Sequence, residues 1–94
     1  MHRILEKRQL SEEVFRMKFE ARNIARERKA GQFIIVQLDS DFGERIPLTI
    51  ADADPVAGTV DIVFQAVGAT THRLADLEVG DSIAHVLGPL GRPT

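Results

Sequence analysis

RIPLTIAD, residues 45–52, alternates like a β-strand yet carries Pro47 at its third position. Proline has no backbone N–H and biases Ile46 toward an extended shape. The run can therefore lie in a sheet only where the missing donor faces no partner, at an edge or beside a ligand. Alternation puts Arg45, Pro47 and Thr49 on one face and Ile46, Leu48 and Ile50 on the other. One face packs on a core, and the other presents a cation, a flat ring and a hydroxyl in a row. That row suits an elongated ligand with phosphate at one end and a planar hydrogen-bonding ring at the other. It also suits an edge strand whose proline blocks sheet-to-sheet pairing and whose arginine stays in water.

The surrounding chain is dominated by period-two runs. Residues 2–10 alternate loosely, with Ile4 and Leu5 on opposite sides, and VFRMKF (14–19) puts Phe15, Met17 and Phe19 on one face. FIIVQL (33–38) is nearly continuous apolar sequence, as in a strand covered on both faces or closing a small barrel. After the polar break DSDFGE, the opening run and the turn DADPVAG comes TVDIVFQAV (59–67). Here Val60, Ile62 and Phe64 share one face, opposite Asp61, Val63 and Gln65. ATTHRLADL (69–77) switches to helical spacing with threonines available as caps, and residues 82–87 read as a last strand. Six strands with one short helix predict an all-β fold, a small six-stranded antiparallel Greek-key barrel. Residues 21–31 leave room for a helical turn.

QAVGATTHRL offers a possible second contact for such a ligand. Gly68 can make the turn out of a strand, and a helix opening at Thr70 or Thr71 offers free N–H groups, two hydroxyls and a positive dipole end. The plain alternative is an N-capped connecting helix. A ligand with both a ring and a pyrophosphate needs both seats.

With 94 residues the chain has room for one domain with a thin core. Its net charge of −2 and interspersed charges do not suggest a nucleic-acid surface. ARNIARERK (21–29) has four basic residues but no aromatics for base stacking, and reads as a solvated connection. Zero cysteines exclude disulfides, thiolate nucleophiles and iron–sulfur ligation within this chain. His2, His72 and His85 lack metal-ligand spacing. The N-terminal MHRILEKRQ has no apolar signal region, and no apolar run reaches membrane-span length, so a cytoplasmic location is expected.

RIPLTIAD, VFQAVGATTHRLADL and GPLGRPT, with the AGQFI turn, together resemble the N-terminal FAD-binding barrel of the ferredoxin-NADP reductase superfamily over essentially the whole chain. Within it the likeness is greatest to the flavoprotein subunit of NADH-dependent ferredoxin:NADP oxidoreductase, also described as a sulfide dehydrogenase subunit. The electron transfer subunit of dihydroorotate dehydrogenase follows. The resemblance implies that Thr49 supplies the hydroxyl near flavin N5, where it can donate or accept as the flavin changes redox state. It implies that Ile46, Pro47 and Leu48 line the isoalloxazine and that Arg45 pairs with FAD phosphate. Val63, Phe64 and Gln65 would flank the cofactor, with Gly68, Thr70 and Thr71 at the pyrophosphate turn. Two departures stand out: the arginine precedes Thr49 by four residues rather than three, and Leu48 replaces the stacking tyrosine of the plant-type pattern.

Relatives continue past GPLG into an NAD(P)H-binding domain and a cysteine cluster for [2Fe-2S], so this chain is expected to be a truncated domain, residues 1–94. The parent activity implied is NAD(P)H-dependent oxidoreduction through the flavin to ferredoxin-type carriers and a partner subunit. The 94 residues contain no credible general base and no assigned catalytic or metal-binding residue, and on their own are expected to show no turnover. An apolar patch near Leu87 and Leu90 favours a homodimer. The rival reading is a non-catalytic barrel that binds protein or oligonucleotide, which fold alone does not separate from the first.

Overall fold

The computed structural model describes residues 2–39 and 44–93. Strands β1 (His2–Gln9) and β2 (Val14–Glu20) are followed by helix α1 (Arg22–Glu27), then β3 (Phe33–Gln37), β4 (Arg45–Asp54) and β5 (Thr59–Gln65). Helix α2 (Ala69–Asp76), β6 (Ser82–Ile83) and β7 (His85–Leu90) complete the chain. All pairings are antiparallel, in the order β6-β1-β2-β5-β4-β3-β7. The run β3-β4-β5 with β2 returning beside β5 is a Greek key, as expected from the turn spacing.

Seven strands stand where six were expected. The segment 82–87 is two strands, broken at Ala84: β6 pairs with β1, and β7 pairs with β3. Ala84 is buried, and its small side chain lets the chain bend there and pass from one edge of the sheet to the other. One bent segment thereby nearly closes the barrel, and β7 runs on past Leu87 to Leu90. Other boundaries move by one to two residues. β4 extends to Asp54 because its carboxylate accepts from the Val56 and Ala57 amides and sets the turn there. β5 ends at Gln65 because the Val67 amide is taken by the Thr71 hydroxyl. The polar break at 39–44 has residues 40–43 outside the described residues.

The core follows the alternation read from sequence. Ile4, Met17, Phe19, Ile34, Val36, Val60, Ile62, Leu74 and Ile83 are fully buried. Phe15 joins from the same face of β2 and stacks on Phe64, with ring centroids 5.9 Å apart. FIIVQL is not buried on both faces: Ile34 and Val36 point inward, while Phe33, Ile35 and Gln37 are half-buried on the outside. ARNIARERK contains helix α1, fastened by buried Ile24 and Ala25. On the outer face of β5, Asp61 is buried and accepts from Arg16 Nε at 3.0 Å and Nη2 at 2.8 Å, so the alternation hides a carboxylate only because a guanidinium meets it.

Gly88 marks where β7 crosses β3 at close range. A Cβ there would lie 2.9 Å from Ile34 Cγ2 and 3.3 Å from the Phe33 carbonyl oxygen. Gly88→Ala is expected to lower stability by about 1–3 kcal/mol through overpacking of this seam, read from the midpoint of urea unfolding. No helix among the described residues is long and apolar enough to cross a membrane.

Candidate functional site

The question raised by Pro47 is answered by the ladder. β4 pairs with β3 over Arg45–Thr49, but with β5 only from Ile50 to Asp54. β5 meanwhile keeps β2 on its far side through Gln65. The two strands therefore part company at the Ile50–Ile62 pair, and a cleft opens between residues 45–49 and 63–65. The Ile50 amide donates to the carbonyl of Gln32, the residue just before β3, at 3.2 Å. Amide direction alternates along a strand, so the Pro47 nitrogen and the Thr49 amide face away from β3, toward the cleft. The missing donor costs no ladder bond.

The side chains divide as the alternation requires. Arg45, Pro47 and Thr49 are exposed on the outside, while Ile46 and Leu48 are half-buried. Val63 and Gln65 are exposed on the same outer side of the barrel. Phe64 is buried in the core against Phe15, so the cleft receives its backbone and not its ring.

Helix α2 begins at the end of β5, beside this cleft. Its N-cap is Gly68, not a threonine, and its first residue is Ala69. Gly68 has no side chain to cap with, so Thr71, in the first turn, reaches back and accepts from the Gly68 amide at 2.9 Å and the Val67 amide at 3.1 Å. That hydroxyl donates in turn to the Gly68 carbonyl at 3.1 Å, so it is committed to shaping the turn. Thr70 instead turns outward and donates to Glu44 Oε2 at 3.2 Å. This bond ties the helix mouth to the residue preceding β4. It also sets a carboxylate oxygen near the positive dipole end of the helix, held by the Thr70 hydroxyl.

The structure thus brings Thr70 to the entry of β4 and sets Thr49, Val63 and Gln65 around the opening. Arg45 is not brought to the helix mouth. Its Nε donates to Gln37 Oε1 at 3.1 Å, which draws the guanidinium across β3 into a groove of about 500 Å³ shared with His2, His85 and Leu87. Sequence reasoning missed Glu44 and Gln37. Gln37 was findable, because period two places it on the face of Ile35, one row from Arg45. Glu44 was not, because only the tertiary fold sets it against Thr70.

No family model matches the chain. A Clostridium beijerinckii protein described only as uncharacterized, in the adh 3′ region, is 50% identical over the whole chain, which covers 31% of its length. A Thermotoga maritima protein named as a homologue of the dihydroorotate dehydrogenase B (NAD(+)) electron transfer subunit is 39% identical over the whole chain and 33% of its own length. The chain therefore spans about a third of the length of these curated relatives. Among solved structures, an NADH-dependent reduced ferredoxin-NADP oxidoreductase matches with a TM-score of 0.96 and 39% identity, over 100% of this chain and 34% of that one. A Neisseria gonorrhoeae ferredoxin NADP+ reductase with bound FAD and NADP matches in fold, with a TM-score of 0.72 at 18% identity, over 93% of this chain and 37% of that one.

A nearly closed antiparallel barrel, with one strand pair splayed beside a short capping helix, is the architecture of the flavin-binding barrels. The chain has the fold of the N-terminal FAD-binding domain of the ferredoxin-NADP reductase superfamily and is similar over its whole length to the matching third of such proteins.

Proposed function

We propose that this domain binds FAD in the β4–β5 cleft and serves a cytoplasmic flavoprotein oxidoreductase that moves electrons between NAD(P)H and iron–sulfur or ferredoxin-type partners. The observation that carries the reading is the parting of β4 from β5 beside the mouth of α2. It supplies a slot edged by outward-facing backbone groups and, next to it, a seat for anionic oxygens. A flat heteroaromatic ring with a diphosphate tail needs both. The relatives' names support the redox context, and the partner subunit and carriers belong to the larger protein.

Bound flavin would supply hydride and single-electron chemistry, with the protein contributing position and electronics. Thr49 holds a hydroxyl at the cleft edge that can donate to, or accept from, a ring nitrogen. Pro47 offers its ring on the outer face while Ile46 and Leu48 contribute backbone from the same strand, a lining that stacks less strongly than a tyrosine ring. Val63, Phe64 and Gln65 face the ring from the opposite strand, Phe64 through its backbone. Gly68 and Thr71 shape the turn, and the amides of the first helical turn receive the diphosphate, joined by Thr70 once its hydroxyl leaves Glu44 and that carboxylate swings away. Arg45 reaches a phosphate only by leaving Gln37, so its contribution is the weakest of the set. Leu87, 61% exposed, supports self-association of the isolated domain.

Titrating the protein with FAD tests this directly. A saturable one-to-one change in the flavin absorbance spectrum is expected, with no NAD(P)H-dependent turnover by the 94 residues alone. A spectrum that stays that of free FAD at roughly 100 μM protein would overturn the reading, since even a weak site is half-filled there.

A further inference from the structure

The strands' directions place α1 and α2 at opposite ends of the barrel. α2 adjoins the end of β3, through an Arg73–Asp39 ion pair, and the start of β4. α1 adjoins the other end. Its first residue, Arg22, borders Gly58 in the β4–β5 turn, and the turn that follows it is tied by Gln32 Nε2 to the Gly91 carbonyl just after β7, at 2.9 Å. Five cations gather at that end: Arg22, Arg26, Arg28, Lys29 and Arg92. Residues 21–32 and 91–93 hold these five and one carboxylate, Glu27, leaving seven basic and thirteen acidic residues elsewhere. The chain is thus polarised, with net +4 at this end against −6 over the rest.

None of the five makes an ion pair among the described residues, where the four pairs use Lys7, Arg16, Lys18 and Arg73. The flanking Asp54 carboxylate is occupied by the amides of its own turn. Arg28 Nε is buried without an acceptor among the described residues, although buried donors are normally satisfied. Four of the cations are exposed, and α1 is fastened beneath them by Ile24 and Ala25. Arg22 and Arg26 therefore ride on a fixed helix, with Arg28 and Lys29 in the turn that follows it and Arg92 just after β7.

We propose that this end of the barrel docks a carboxylate-rich face of a partner protein. A long polyanion is disfavoured, because beyond the patch it would run over a surface of net −6, and no aromatic residue lies in residues 21–32 to stack on bases. A compact acidic face matches the footprint without meeting that repulsion. The neighbouring turn adds an apolar contact in Val56, 90% exposed. A partner held here leaves the β4–β5 cleft open, so the contact is one of assembly that does not cover the cofactor seat.

The test uses a fluorescein-labelled poly-glutamate peptide of about 20 residues as the acidic probe, followed by anisotropy. R22E/R26E/K29E is expected to weaken binding at least about tenfold, as is raising salt from about 50 to about 300 mM, whereas R3E/R8E on β1 leaves it within about twofold. The neutral triple R22A/R26A/K29A is expected to weaken binding as well, without adding carboxylates to the last turn of α1. Absence of peptide binding, or unchanged binding in both triples, overturns the proposal. So does tighter binding of duplex DNA or of anionic phosphatidylglycerol vesicles than of the peptide. FAD titration of the same variants is expected to be unchanged, so failure of this proposal and of the flavin reading are told apart.

Discussion

Phe19→Ala is expected to lower the unfolding free energy by about 3–5 kcal/mol, the usual cost of deleting a fully buried phenylalanine ring. Phe19 is fully buried, sits in β2 between Ile4 of β1 and Val60 of β5, and meets the His2 ring edge-on at 6.3 Å. No exposed neighbour can collapse into the space it leaves, because β1 and β5 are held in register on both sides. A domain of 94 residues has of the order of 5–14 kcal/mol of total stability, so the substitution removes between about a fifth and all of it. Equilibrium unfolding in urea, followed by circular dichroism, reads this out. A loss under about 1 kcal/mol would mean that the barrel interior is loosely packed, contrary to the nine side chains closed off from solvent.

Ala69→Glu is expected to separate folding from ligand binding. Ala69 is exposed at the first position of α2, where a carboxylate interacts favourably with the helix dipole, so stability should rise by about 0.3–1 kcal/mol. The same carboxylate would stand where the proposed diphosphate approaches. Two like charges about 5 Å apart at an effective dielectric of about 20 repel by roughly 3 kcal/mol. FAD affinity is therefore expected to fall about a hundredfold, read from absorbance titrations at low salt. Opposite signs in the two measurements are the diagnostic result, because a merely damaged fold would lower both. Unchanged affinity in a stable variant would place the diphosphate elsewhere.

Much of this architecture could be read from the chain. The alternation in VFRMKF and TVDIVFQAV identified the inward faces of β2 and β5, and the proline in RIPLTIAD pointed to a strand whose second edge is open. These features are local, since period two and a missing donor need no knowledge of distant partners. The break at Ala84 was not legible, because alanine is neutral toward bending and the bend is imposed by two separate ladders. The capping of α2 was misjudged for a similar reason: Thr70 and Thr71 both look like caps, and which one turns back depends on Gly68. The direction taken by Arg45 depends on Gln37, its cross-strand partner, which becomes visible only once β3 and β4 are paired.

The bend at Ala84 also bears on how the domain comes into being on the ribosome. The outer margins of the first and third strands, already paired on their inner sides, are covered only by the few residues on either side of that alanine, which follow every other strand of the barrel in the chain. Until Leu90 has cleared the exit tunnel, the nascent sheet has two raw margins exposed to solvent and to other chains. The stitching step is thus deferred to the end of translation of this segment. During that interval, the chain depends on whatever shields those margins.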